Sequence, residues 1–357
     1  MRRSRFLAAL AGSVAIAGGC AGAEDEPALE AGTMTVAYGR AGARAGSERD
    51  RVLERSARLG AREINSRGGI DGKVRIRLAR GAAQVRLLPC RWFALPRPER
   101  QSVLALATCN ERPDLVEASG TIRPVGMGAH VEAAQLAEYT HAEGFRSAWV
   151  ITAPGSRLGF YLRKALRGRG VQILGATPSS EGASAQVARI RSARPDALVT
   201  EQEPAGLGLL VQGLRQAGIE VPVLGTHRLD SQALLALGGA AEGVTFTTFG
   251  YPDPGSPLDE FHEKYRARTG SPPDGSFAAL GYVAIKVLEA AIQEARSTDP
   301  ARLATAFSGL EARSVLGPVR YGDEGDLSPR VQAAVVTVRG GRFELVERGI
   351  PEAVPRP

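Results

Sequence analysis

The sequence predicts an α/β fold of parallel sheets covered by helices, and three observations predict it. Strand-like and helix-like patterns alternate along most of the chain, the arrangement that builds a parallel sheet with crossover helices. The segment 61–78 passes from an amphipathic helix through Gly68-Gly69, turns on Asp71-Gly72 and enters the strand-like Val74-Arg-Ile-Arg-Leu78. Finally, 357 residues are enough for about two domains, and no repeat at a solenoid period divides them otherwise.

The elements follow in order. Met34 to Tyr38 is a short apolar strand. Ser47 and Asp50 are spaced as a capping box, and Val52, Leu53, Ser56, Leu59, Gly60 and Ile64 recur at helical spacing behind them. After the strand at 74–78 come two short apolar segments, Val85 to Leu88 and Val103 to Ala107. Ala129 to Glu143 reads as a helix stopped by Gly144, Ser147 to Thr152 as a strand, and Phe160 to Leu166 as the apolar face of a helix. Val171 to Leu174, Ala197 to Thr200 and Val221 to Leu224 are further strands. Val187 with Ile190, and Leu207 with Leu210, Leu214 and Ala217, mark the helices between them. Val244 to Phe249 is a strand closed by the Gly- and Pro-rich turn 250–255. Ser256 then caps a helix with Pro257 at its first position. Phe277 to Ala295 is a long alanine-rich helix, Pro300 to Leu310 a shorter one, and Val331 to Val338 a late strand.

The N-terminus is a separate object. Arg2, Arg3 and Arg5 precede an apolar core from Phe6 to Ala17 and the small-residue end Gly18-Gly19-Cys20, the layout of a secretory signal. Ile16-Ala-Gly-Gly-Cys20 resembles a bacterial lipobox, with Cys20 as the acylated residue; the other reading is a plain signal peptide with a chance cysteine. Residues 20–32 are a flexible tether. Loss of residues 1–19 removes three arginines and no acid, so the net charge falls from +7 to +4. The remaining arginines are scattered among acids without a basic stripe, which argues against nucleic-acid binding. No apolar run reaches the ~20 residues of a membrane span, so the membrane is expected to enter only through the lipid anchor. Export leaves Cys90 and Cys109 as an even pair after two apolar segments, either a disulfide or two unrelated buried thiols.

Enzyme signals are poor. The chain has no H-E-x-x-H, no G-x-S-x-G and no P-loop, and its four histidines, at 130, 141, 227 and 262, do not fall at ligand spacing with an acid. No catalysis, metal or cofactor is expected.

Seven motifs in order resemble the extracytoplasmic solute-binding proteins of the leucine/isoleucine/valine-binding type. They are Glu63-Ile-Asn-Ser-Arg-Gly-Gly-Ile-Asp-Gly72, Gly159-Phe-Tyr-Leu-Arg-Lys-Ala-Leu166 with Gly170-Val171, and Arg194-Pro-Asp-Ala-Leu198. Then follow Leu214-Arg-Gln-Ala-Gly-Ile-Glu-Val-Pro-Val-Leu-Gly225, Phe261 with Tyr265, Gly270 with Pro273, and Leu316-Gly-Pro-Val-Arg-Tyr-Gly-Asp-Glu-Gly-Asp-Leu327. The resemblance implies two doubly wound lobes joined by a three-segment hinge. The first lobe is 33–125 with 252–316, the second 128–246 with 320–345, and 346–357 is a C-terminal tail. The crossings fall at 124–128, 246–250 and 316–321. It also implies a monomer that captures a small polar molecule, amino-acid-like, an amide or a carboxylate, and delivers it to ABC permease subunits by hinge closure. The rival is a transport-inactive or sensory interaction protein of the envelope with the same fold.

One departure stands out. Six residues separate Leu78 from Val85 where the family has a crossover helix. Parallel strands need a connection of about ten or more, and six residues reach at most about 20 Å. Either the first lobe loses a helix and rearranges its edge, or a deletion has struck it.

The family holds a ligand carboxylate on loops that here contain Arg91, Thr108 and Asn110. Arg91 is either a bidentate anion contact or a solvated surface residue. Arg49 stands where relatives place an aromatic, or is an ordinary first-turn residue. From the second lobe the matching positions are Leu158, Thr200, Glu201 and His227, the last where an ammonium-binding acid is expected; Glu203 is a possible substitute. Tyr282 is either a ligand-facing aromatic or a helix core residue. The displaced acid argues for a ligand lacking an ammonium group.

Overall fold

The computed structural model describes residues 28–39, 47–88, 102–114 and 121–357. Its strands form two large sheets. The first joins β1 (Gly32–Tyr38), β2 (Val74–Ala79), β3 (Val85–Leu88), β4 (Leu104–Ala107) and β5 (Ile122–Pro124) in the order β2-β1-β3-β4-β5, all parallel. The second contains β6 (Ser147–Thr152), β7 (Gln172–Pro178), β8 (Ala197–Thr200), β9 (Val223–Gly225), β10 (Thr245–Thr248), β13 (Ala333–Arg339) and β14 (Arg342–Gly349). Its order is β14-β13-β10-β9-β8-β6-β7, with only β13 running against the rest, antiparallel to β10 on one side and to β14 on the other. A separate hairpin pairs β11 (Glu311–Ser314) with β12 (Gly317–Arg320). This is the parallel-dominated α/β architecture that the alternation of patterns predicts, in the two lobes that the resemblance implies.

The helices obey their local signals. In α1 (Glu48–Ser66) the capping box forms, Ser47 Oγ accepting from Asp50 N–H while the Asp50 carboxylate accepts from Ser47 N–H. At its far end Gly68 and Gly69 take φ of 94° and 100°, and a Cβ on Gly69 would sit 2.6 Å from the Val74 carbonyl. In α7 (Pro257–Thr269) Ser256 caps the first turn and Gly270 closes the helix with φ 83°. The long α8 (Leu280–Ala295), preceded by a 3-10 turn over Ser276–Ala279, packs on α1 so closely that a Cβ on Gly281 would lie 2.0 Å from the Leu53 carbonyl. By length and composition Ser276–Ala295 is apolar enough to cross a membrane, but most of it is buried inside the protein. It is the central helix of the first core, with Ile285, Leu288 and Ile292 buried against Leu53 and Ile64 of α1. Each such side chain contributes about 1.5–3 kcal/mol relative to exposure.

The missing crossover is the main correction. No helix lies between β2 and β3, yet the edge is not rearranged. Leu78 and Val85 both pair with Val36, so β3 begins level with the place where β2 ends. The chain has no return journey to make; it crosses β1 and continues. Gln84 completes the crossing, its N–H donating to the Thr35 carbonyl and its Oε1 accepting from Thr35 N–H. Arg86, buried to 1% exposure, donates to the carbonyls of Gly39 and Gly81 and so ties the connection to the end of β1.

A second correction concerns the C-terminus. The tail expected from 346 is still strand as far as Gly349. The β13–β14 hairpin turns on Gly340-Gly341 with φ of 56° and 72°, a two-residue connection that the Gly-Gly pair signals. Beyond it, Glu352 and Ala353 donate backbone N–H groups to Glu138 of α2 (Ala129–Ala142). The remaining helices are α3 (Arg157–Gly168), α4 (Ala183–Ala193), α5 (Pro204–Gln216), the short α6 (Gln232–Leu235) and α9 (Pro300–Ala306). Two crossings between the sheets are tied together, Tyr321 Oη donating to the Pro124 carbonyl at 2.6 Å.

Candidate functional site

In open α/β sheets ligands meet the carboxyl ends of the strands, and here those ends in the two sheets face each other. Three sets of contacts cross the gap. Arg228, after β9, reaches Glu111 at 3.2 Å and Glu203 at 3.0 Å. Burial opposes its charge, but Glu111, Glu203 and Glu201 together raise its pKa. Arg157, at the start of α3, lies 3.4 Å from Asp114, which Arg112 also holds. Asp230 accepts from the N–H and Oγ of Ser276 at 2.8 and 2.7 Å, while Asp274 accepts from Ser231 Oγ and Gln232 N–H.

The predicted residues divide by what their polar atoms already do. Thr108 is fully buried and its hydroxyl donates to the Leu88 carbonyl at 2.8 Å, joining the ends of β3 and β4. Thr200 is likewise buried, with Oγ1 accepting from Gln202 N–H. Glu201 accepts from Ala153 N–H and from Ser156 Oγ at 2.7 Å; burial raises its pKa against the pull of those bonds. Leu158 packs in the core beneath α2 and α3 with Leu162 and Val199, away from the role the family position implies. Tyr282 also belongs to a core. Its ring packs 5.4 Å from that of Phe261, and its Oη donates to Glu63 at 2.8 Å. Burial, then the Glu63 carboxylate, pushes the phenol pKa up.

Three predicted residues keep unused capacity. Asn110, only 5% exposed, makes no side-chain hydrogen bond, and its Oδ1 is sealed from solvent without a partner. Arg49 makes no ion pair among the described residues; its guanidinium lies 4.6 Å from the centroid of Phe277. His227 presents Nε2 without a partner among the described residues, while its backbone N–H and Nδ1 are committed. Its Nδ1 lies 2.8 Å from Glu132 Oε2, its backbone N–H donates to Glu132 Oε1 at 2.6 Å, and its ring lies 5.1 Å from Phe249. Cys109 is disulfide-bonded. Cys20, Cys90 and Arg91 lie outside the described residues.

Sequence reasoning missed Glu132. It is buried on α2, and Thr247 Oγ1 gives it a further hydrogen bond at 3.2 Å. Burial alone would raise its pKa; the neighbouring His227 and the bonds from His227 and Thr247 outweigh that and hold the carboxyl below its usual range. A glutamate within an otherwise alanine-rich helix face was the only signal available. Also missed were His130, Gln202 and Thr226, whose Nδ1, Oε1 and Oγ1 are buried without a partner. Burial drops the His130 pKa to about 4, so its imidazole is neutral at physiological pH. Buried polar atoms are nearly always satisfied, so this many open positions around the facing loops mark a surface built to receive polar groups.

The charge of the arrangement is selective. Glu111, Asp114, Glu132, Glu201 and Glu203 already engage arginine, histidine or hydroxyl partners, whereas Arg49 does not engage an acid. Such a site offers an anion the Arg49 guanidinium and has no idle carboxylate among these residues for a cation. No group of described residues is arranged to hold a metal ion.

Known proteins are related to this chain in sequence and in structure. Residues 99–342 match the family model described as periplasmic binding protein. A Leu/Ile/Val-binding protein homolog 3 of Brucella melitensis is 30% identical over 155 residues, covering 43% of this chain and 42% of that protein. The chain thus spans less than half the length of that curated relative. A leucine binding protein of Thermotoga maritima superposes with TM-score 0.74 and 20% identity, over 90% of this chain and 99% of its own. A solute binding protein of an ABC transporter from Rhodopseudomonas palustris, in complex with 3,4-dihydroxy benzoic acid, gives TM-score 0.75 and 16% identity over 90% and 99%. At these identities the two structures establish the fold.

Proposed function

The chain belongs to the periplasmic binding protein family, and on that premise we propose that it is a lipid-anchored extracytoplasmic solute-binding protein for an ABC transporter. Cys20 is the acylated residue, 20–32 the tether, and the Cys109 disulfide is closed by Cys90. The protein acts as a monomer, without catalysis. Its ligand is a small carboxylate, aromatic acid or amide rather than an unmodified α-amino acid. The observation that carries this is the pairing state of the facing loops, in which Glu111, Glu132 and Glu201 are spent while Arg49 engages no acid among the described residues. An anion entering between the lobes gains charge-assisted hydrogen bonds from Arg49, and its contacts with the facing lobe let it select the closed state. Complexes of structural neighbours with an aromatic acid and with isoleucine are compatible with either ligand class.

The altered ligand positions favour one other reading, a transport-inactive or sensory interaction protein. A thermal-shift screen of residues 21–357 against amino acids, amides, aromatic acids and short carboxylates decides between them. Ligand at a hundred times its Kd stabilises by about 2.7 kcal/mol, a shift of a few degrees at this size. A specific acid or amide hit supports transport. Leucine binding at micromolar affinity overturns the ligand class, and a cooperative melt without any hit favours the rival.

A further inference from the structure

Behind the contact of Asp230 with Ser276, on the side of α7 and the β13–β14 hairpin, lies a cavity of about 200 Å³ that the reading above does not use. Its walls come from both lobes and the hinge: Pro273 and His262 on one side, Phe343 on the other, and Tyr251 with Pro252 from the crossing after β10. Asp230 lines it and is 7% exposed. Its Oδ2 accepts from Ser276 N–H, Ser276 Oγ and Thr248 Oγ1, and its Oδ1 accepts from no described residue. All three donors are neutral, and Asp230 forms no salt bridge with any described residue. The nearby Arg348 is held by Asp253. A buried carboxylate without a cation is costly, and this one borders a space where a cation fits.

The second polar group is His262. Its Nε2 is buried and unpartnered. Burial lowers the imidazole pKa more than the neighbouring Asp230 and Asp259 raise it, so the ring is neutral and can accept. Carboxylate Oδ1 and imidazole Nε2 are two acceptors lining one small cavity, and Tyr251 and Phe343 add aromatic faces that favour a cation.

We propose that this cavity binds a small primary amine as its ammonium ion, hydrogen-bonded by Asp230 and His262 between the two lobes. The site is separate from the facing loops and selects the opposite charge, so it does not compete with the anion proposed there. An ammonium bound between the 272–276 segment and the β13–β14 hairpin touches both lobes and stiffens the hinge.

The test is a titration of the full chain with propylammonium chloride and with 1-propanol, followed by NMR of the His262 ring and Val336 methyl resonances. Propylammonium is expected to shift both saturably, and propanol to bind at least ten-fold more weakly. Asp230→Asn keeps the shape and should remove the preference for the charged probe; His262→Phe should weaken propylammonium at least five-fold. Equal response to both probes, or shifts confined to His227 and Phe249, overturns the site. If Asp230→Asn does not fold, His262→Phe decides alone, and undiminished propylammonium binding in it overturns the proposal.

Discussion

Glu132 and His227, 95 positions apart, form a buried pair in which one carboxylate takes both the backbone N–H and Nδ1 of the histidine, at 2.6 and 2.8 Å. The carboxylate therefore fixes which face the imidazole turns to the gap between the lobes: Nδ1 is bound inward, and Nε2 is left to meet a ligand.

Because the folded Glu132 carboxyl sits below its usual pKa, it binds fewer protons than in the unfolded chain. Its stabilisation is present above the unfolded value, about 4.3, and is lost as pH falls through the folded one. Glu132→Gln should cost about 1.5–3 kcal/mol at pH 7 and flatten the acid limb of stability. Urea midpoints from pH 7 to pH 3 check this; Glu201, whose pKa is raised, is common to both proteins and cancels in the difference. Parallel curves would show that the pair carries no net charge interaction.

Arg49 stacks on Phe277 and makes no ion pair with any described residue. Arg49→Gln should weaken an acid ligand by about ten- to a hundred-fold, the range of a hydrogen bond to a charged group. The melting temperature without ligand should move little. Calorimetric titration with the best acid from the screen tests it, and an unchanged affinity would remove Arg49 from the site.

Tyr282→Phe should do the reverse. Losing the hydroxyl that donates to Glu63 should cost about 1–2 kcal/mol of stability, with ligand affinity unaltered. A changed affinity at constant stability would return Tyr282 to the ligand.

Gly281→Ala sets packing against propensity. Alanine gains about 1 kcal/mol as a helix former, but its Cβ would lie 2.0 Å from the Leu53 carbonyl and 2.4 Å from Ser56 Oγ. Separation of α1 from α8 should give a net loss of about 2 kcal/mol or more. A variant as stable as the parent in urea would mean the two helices can slide apart freely.

Much of the fold is legible in sequence because its signals are local. The Ser47–Asp50 box, the Gly68-Gly69 turn, Ser256 before Pro257 and the alternation of apolar periods each depend on residues a few positions apart. The same holds for Gly340-Gly341, a hairpin signal that went unread. The site is less legible. Thr108, Thr200 and Glu201 occupy plausible positions, but whether a hydroxyl or carboxylate is free depends on which distant backbone group claims it.

The sequence by itself determined the α/β class, the order of elements, the caps and turns, and the family motifs, since periodicity and capping act within one or two turns of chain. The tertiary structure alone decided three things. It staggered β3 so that Leu78 and Val85 meet the same Val36, and a crossing without a helix became possible. It assigned Tyr282 to Glu63 and His227 to Glu132. And it left Asp230 buried without a cation beside a cavity. Each is a matter of register or of partners far apart in the chain, and a side chain's chemistry is complete only when its partner, or the lack of one, is known.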